Sequence, residues 1–212
     1  MGADGNRGDS GWWARLWRPR RWWLLGIPLG GFAMFVIGIG VWLAFTGFVH
    51  TTNSLGFCTS CHEMRDTVYQ EYRKTVHYQN AAGVRAICSD CHVAKALGPK
   101  LLDKVRATFR DIPAHLMGTI DTKEKFEKLR PTLAKDVWAS MKANDSQNCR
   151  SCHSYEAMAR DAQSHSASKK HSPEWRKRFG DTCIDCHFGI AHNVPEGVTP
   201  KDVSAKAGTA GD

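Results

Sequence analysis

Four five-residue segments of this 212-residue chain could do chemistry: CTSCH at 58–62, CSDCH at 88–92, CRSCH at 149–153 and CIDCH at 183–187. In each, two thiols three positions apart can form thioethers with both vinyl groups of a haem, and the adjacent imidazole then lies beneath the iron as proximal ligand. The spacing predicts four covalently bound haem c groups, attached through Cys58 and Cys61, Cys88 and Cys91, Cys149 and Cys152, and Cys183 and Cys186. These pairs use all eight cysteines of the sequence. Zinc sites and thiol redox pairs also use C-x-x-C, but neither requires a histidine directly after the second cysteine.

Electron-transfer haems are usually closed on both faces of the iron. The ten histidines make the search for the closing ligands finite. His62, His92, His153 and His187 follow the motif cysteines and are the proximal set. His77 lies 11 residues before Cys88 and His171 lies 12 before Cys183, so each half of the chain offers a histidine at the same place upstream of its second motif. His192 follows His187 too closely to wrap around the same haem and is expected to serve a neighbour. His50, His115 and His165 receive no assignment. Three distal histidines serve three haems, which leaves haem one short. Met64, two positions after His62 in CHEM, is the second available ligand there.

These residues need elements to hold them. The first cysteines are 30 residues apart in the first pair of motifs and 34 in the second, with 61 between Cys88 and Cys149. Two dihaem halves, 56–100 and 147–195, follow, with CHEM echoed by CHSYEAM and SDCH by IDCH. No segment alternates with period two, so the expected fold is mostly α and poor in sheet. One helix is expected where Asp121 caps, Glu124 completes a capping box and Leu133, Val137 and Met141 recur, with Pro131 splitting it in two. Another is expected through Met64, Val68 and Tyr72.

The 25 residues 24–48 carry no charge, and as a helix they span about 37 Å, enough to cross a hydrocarbon core of about 30 Å. Arg15, Arg18, Arg20 and Arg21 precede this run, and Trp12, Trp13, Trp17, Trp22, Trp23 and Trp42 flank or enter it as interfacial anchors do. The expected organisation is a basic cytoplasmic N-terminus at 1–23, a transmembrane anchor at 24–48, a periplasmic tetrahaem domain at 51–195 and a disordered tail at 196–212. The formal charge of +8 would suggest nucleic acid, but two propionates on each of four haems roughly cancel it, so no nucleic-acid partner is expected.

The anchor, the four motifs at these spacings, CHEM at the first and GIAH after the last resemble the NapC/NirT family of membrane-anchored tetrahaem cytochromes. GTIDTKEKFEKLR, MKANDSQNCRSCHS and TCIDCHFGIAH are most similar to its periplasmic-nitrate-reductase branch. The resemblance, covering about residues 20–195, implies a single-pass protein of the bacterial inner membrane that oxidises membrane quinol. It would pass the electrons to a periplasmic reductase, nitrate reductase first, with nitrite, sulfoxide and amine-oxide reductases behind. It implies that His192 closes haem two, that His77 and His171 close haems three and four in an open order, and that Met64 rather than His62 can ligate haem one. It also points to Lys104 and Asp111 for the quinol site; taken alone they are two charges seven apart on one helix. A membrane-tethered electron shuttle without a quinol site is the alternative, and a homo-oligomer is compatible with the sequence.

Overall fold

The computed structural model describes residues 27–199 together with Gly11, Trp12, Trp23 and Leu24. The basic N-terminal cluster, Trp13, Trp17, Trp22 and the tail from residue 200 lie outside the described residues. The chain divides into two units, 1–52 and 53–212. In the first, β1 (Trp23–Leu24) pairs antiparallel with β2 (Ile27–Pro28), and α1 follows at Leu29–Thr51. The expected span began at residue 24; the helix begins instead after Pro28 and runs on through His50. Its 23 residues are long and apolar enough to cross a membrane, with Phe35, Val41, Leu43 and Phe48 on its exposed surface.

The second unit is helical: α2 (Leu55–Cys58), α3 (His62–Asp66), α4 (Val68–Tyr72), α5 (Cys88–His92), α6 (Leu97–Leu116), α7 (Lys123–Ala143), α8 (Gln147–Arg150), a 3-10 turn at Arg160–Ala162, α9 (His165–Lys170), α10 (Pro173–Phe179) and α11 (Cys183–Cys186). Its buried apolar side chains among the described residues are Tyr72, Phe126, Trp138 and Ile184.

Local sequence explains three departures from expectation. Thr122, not Asp121, caps α7 by accepting from Lys125 N–H at 3.3 Å, while Asp121 pairs with the Lys125 ammonium at 2.7 Å. Pro131 does not split α7. The one backbone bond it removes is outweighed by anchors on either side, since Phe126, Arg130 and Trp138 are all buried. The helix expected through Met64, Val68 and Tyr72 breaks at Thr67 (φ −117°, ψ −99°), whose hydroxyl donates to the Glu63 carbonyl, giving α3 and α4.

The two-half repeat is visible in the motif side chains. In motifs one and three the residue before the second cysteine is serine, and Ser60 and Ser151 donate to the carbonyls of Phe57 and Asn148 at 2.7 and 2.6 Å. In motifs two and four it is aspartate. Asp90 and Asp185 accept from the N–H groups of Ile87 and Thr182 at 2.8 and 2.9 Å, and each carboxylate also holds a lysine, Lys95 and Lys142. An acceptor at that point satisfies a free N–H of the helix start.

Each motif is also tied to the next. Ser89 Oγ donates to Asn53 O at 2.8 Å, just ahead of motif one. Asn148 Nδ2 donates to the carbonyls of Cys91 and Val93 at 2.7 and 3.2 Å, joining motif three to motif two. Ser146 Oγ, 1% exposed, accepts from Thr182 Oγ1 at 2.7 Å and Ile184 N–H at 3.2 Å, joining motif three to motif four. Asp145 and Ser146 both hold left-handed backbone, φ 54° and 48°, a costly conformation for non-glycine residues that these buried bonds offset. Replacing Ser146 with Ala strands two buried donors, and thermal or denaturant unfolding of S146A should show a loss of about 1–3 kcal/mol.

Candidate metal centres

Eight of the ten histidines come in facing pairs. Ring centroids lie 6.2 Å apart for His92 and His192, 6.2 Å for His77 and His153, 6.1 Å for His171 and His187, and 5.9 Å for His62 and His115. Two imidazoles bound to opposite sides of one metal ion, each through a bond of about 2 Å, have centroids about 6.3 Å apart. All four pairs fit a shared metal. Each pair contains one motif histidine and one from elsewhere.

Polar contacts hold the rings of His171 and His115 directly and the backbone around His77 and His192. His171 Nδ1 lies 2.7 Å from Gln163 Oε1, an acceptor, so Nδ1–H donates and Nε2 keeps the lone pair a metal needs. His77 sits in a loop closed by Ala86 N–H on its carbonyl at 3.1 Å and by the Tyr72 hydroxyl, which bonds to the Ala86 carbonyl. Behind His192, Arg130 makes a two-pronged pair with Glu71 at 2.5 and 2.8 Å and donates to Asn193 O at 2.9 Å, while Asn193 N–H donates to Glu71 at 2.9 Å. Both backbone groups of the residue after His192 are therefore fixed by one buried ion pair.

Burial disfavours the charged form of three of these rings. It pushes His92 down to about 4, with His192 opposite adding to the effect, and it lowers His77 and His192 as well. A metal-binding imidazole must be neutral, so low proton affinity suits the role.

The pair at motif one was not legible as such in the sequence. His115 lies near the end of α6, in DIPAH, with no counterpart in the second half of the chain. Gly118, at φ 63°, turns the chain just after it; a Cβ there would sit 2.9 Å from Asp121 Oδ2. Glu63 is the other unexpected member. Its side chain is 2% exposed, and Oε1 lies 2.5 Å from His115 Nδ1 and 3.5 Å from His62 Nε2. Burial opposes its ionisation, but backbone hydrogen bonding and the two imidazoles hold its carboxyl below the usual carboxylate range. Because the carboxylate accepts from His115 Nδ1–H, Nε2 of His115 is the available ligand atom. Met64 is half-buried in α3, one residue beyond Glu63.

The cysteines follow the same order. Cys58 and Cys88 thiols are within hydrogen-bonding reach, as are Cys149 and Cys183, and Cys91 is close enough to Cys149 and Cys152 to affect them electrostatically. None is disulfide-bonded. Lys104 and Asp111 both lie on α6. Lys104 is half-buried and acts on Cys58; burial lowers its ammonium below the ordinary lysine range, against the pull of Cys58 and with the help of Lys100. Asp111 is exposed and pairs with Arg110 at 2.7 Å.

Four C-x-x-C-H segments, each with a facing histidine, in a helical chain with one long apolar helix, define a multihaem c-type cytochrome of respiratory electron transfer. The chain belongs to the NapC/NirT cytochrome c family, whose N-terminal region matches residues 22–197. It is 47% identical over 201 residues to the denitrification system component NirT of Stutzerimonas stutzeri, covering 94% of this chain and 97% of that one. It is 45% identical over 186 residues to the cytochrome c-type protein NapC of Escherichia coli K12, covering 86% and 90%. A putative tetraheme cytochrome-c type protein of Allochromatium vinosum is 49% identical over 186 residues, covering 87% and 95%. No solved structure matches.

The Arg130 pair gives a test of how His192 is held. Arg130→Ala leaves the half-buried Glu71 without its charge partner, and unfolding should show a loss of about 1–3 kcal/mol. The optical and paramagnetic signature of one iron should change with it, because the His192 segment loses the tie to the Asn193 carbonyl and Glu71, which holds the Asn193 N–H, loses its own anchor.

Proposed function

We propose that this chain is a membrane-anchored tetrahaem cytochrome that oxidises membrane quinol at motif one and delivers the electrons, through motifs two, three and four, to a periplasmic reductase. The observation that carries the reading is that Lys104 on α6 is half-buried within electrostatic range of Cys58, at one end of a line of motifs whose other end is Cys183. In this reading α1 is the anchor in the inner membrane and residues 51–195 face the periplasm. The cysteine pairs form the thioethers, and His62 with His115, His92 with His192, His153 with His77 and His187 with His171 close the four irons. Met64, the ligand expected for haem one, is then a neighbour of the site.

When bound, haem c supplies one-electron iron chemistry at each motif. Quinol oxidation yields quinone, two electrons and two protons, so the protein must take up the protons where the electrons leave. Asp111 is suited to accept a proton from a quinol hydroxyl, and the Lys104 ammonium to hydrogen-bond the oxygen on which charge develops. Glu63 orients His115 and keeps its Nδ1 proton in place. The resemblance to the periplasmic-nitrate-reductase branch, and a relative named as a denitrification component, support nitrate reductase as first acceptor, with nitrite reductase next.

The full chain in proteoliposomes tests the entry site. Lys104→Gln with Asp111→Asn should slow quinol oxidation by about 10²-fold or more, while reduction by a soluble chemical reductant and the visible spectrum stay unchanged. An unchanged quinol rate would instead identify a tethered shuttle with no quinol site.

A further inference from the structure

Helix α6 is amphipathic the wrong way round for a helix that packs only on its own protein. The residues it turns toward the rest of its unit are mostly small or charged: Asp103 accepts from Ala94 N–H at 3.2 Å, Ala107 and Ala114 are half-buried, and Lys104 is half-buried within electrostatic range of Cys58. Its large apolar residues point the other way. Leu102, Val105, Phe109, Ile112 and Leu116 are between 53% and 77% exposed. Their spacing of three and four residues puts all five within an arc of about 80° on the helix, opposite Ala107 and Ala114. The stripe is therefore directed away from the cysteine motifs.

The charges on α6 say what such a stripe fits. Arg106 and Arg110 lie along one flank of the stripe, while Lys100, Lys104 and Asp111 lie on the opposite face of the helix. Arginines bordering an apolar stripe, with long stems that can lie along it, fit a helix resting in the plane of an anionic bilayer surface. The chain supplies that surface at short range. Only residues 52–57 separate α1 from Cys58, a link of at most about 24 Å even when extended.

We propose that α6 is a second, interfacial membrane contact, with Leu102, Val105, Phe109, Ile112 and Leu116 inserted among the acyl chains of an anionic leaflet. Arg106 and Arg110 on its border then lie at the phosphates. The proposal rests on the reading of α1 as a membrane anchor and not on the quinol reading. An in-plane α6 orders the unit on the bilayer surface in a way that a single flexible tether does not.

A photoreactive benzophenone side chain identifies the occupant directly. It is placed at position 109, at 35 within α1, or at the exposed Lys128 of α7, in the full haem-loaded chain reconstituted in vesicles of phosphatidylethanolamine and phosphatidylglycerol. Adducts are then identified by mass. Lipid adducts at 109 should approach those at 35 and exceed those at 128 by about tenfold. Lipid adducts at 35 with none at 109 would overturn the proposal while leaving the anchor standing. Adducts at 109 to a second copy of the chain would overturn it in favour of a protein interface. No lipid adduct at either 109 or 35 would remove the anchor reading and this one together.

Discussion

Two imidazoles must face each other across a fixed gap of about 6 Å at each of four places if each pair is to share one iron. A metal–nitrogen bond tolerates little error in length or direction, so each ring needs its own restraint. The chain meets that demand with polar contacts. Gln163 holds His171, the Tyr72–Ala86 closure holds the His77 loop, the Glu71–Arg130 pair holds the backbone beside His192, and Glu63 holds His115. Three of these four restraints use side chains that are buried and charged or hydroxyl-bearing. Their cost in desolvation is offset only while every partner is present.

The same constraint explains the two halves. A motif helix of four or five residues cannot be stabilised by its own ladder of backbone bonds, so side chains must close its ends. Serine does this in motifs one and three just past the helix end, by donating back to a carbonyl; aspartate does it in motifs two and four at the helix start, by accepting an N–H, and also holds a lysine. The alternation of SCH and DCH along the chain is thus a difference in how each short helix is closed. Bonds from Ser89, Asn148 and Ser146 then set the motifs in chain order, which is what a relay of electrons from one end to the other requires.

Much of this was readable from residue types and spacing. The cysteine pairs, the proximal histidines, the helical class and the apolar helix follow from strong local signals, and near-equal offsets of 11 and 12 residues upstream of motifs two and four single out His77 and His171. His115 was unreadable because its offset has no repeat partner: it sits in the long segment between the halves, and only the course of α6 and the turn at Gly118 bring it back to motif one. Glu63 was hidden for a different reason. A carboxylate beside a motif histidine reads as a surface charge, and its burial depends on the break at Thr67 that a helix-period reading of Met64, Val68 and Tyr72 passes over. Pro131 misled in the opposite direction, since tertiary anchors on both sides of it carry α7 through.

The central claim is that every iron of this cytochrome sits between two imidazoles, His115 included. Near-infrared magnetic circular dichroism combined with paramagnetic resonance of the fully oxidised, full-length protein tests it most directly. The account predicts four low-spin irons, all with bis-imidazole signatures, and conversion of one of them to a different ligation state in His115→Ala. A thioether-to-iron charge-transfer band, or one high-spin iron in the unaltered protein, would contradict it and return Met64 to haem one.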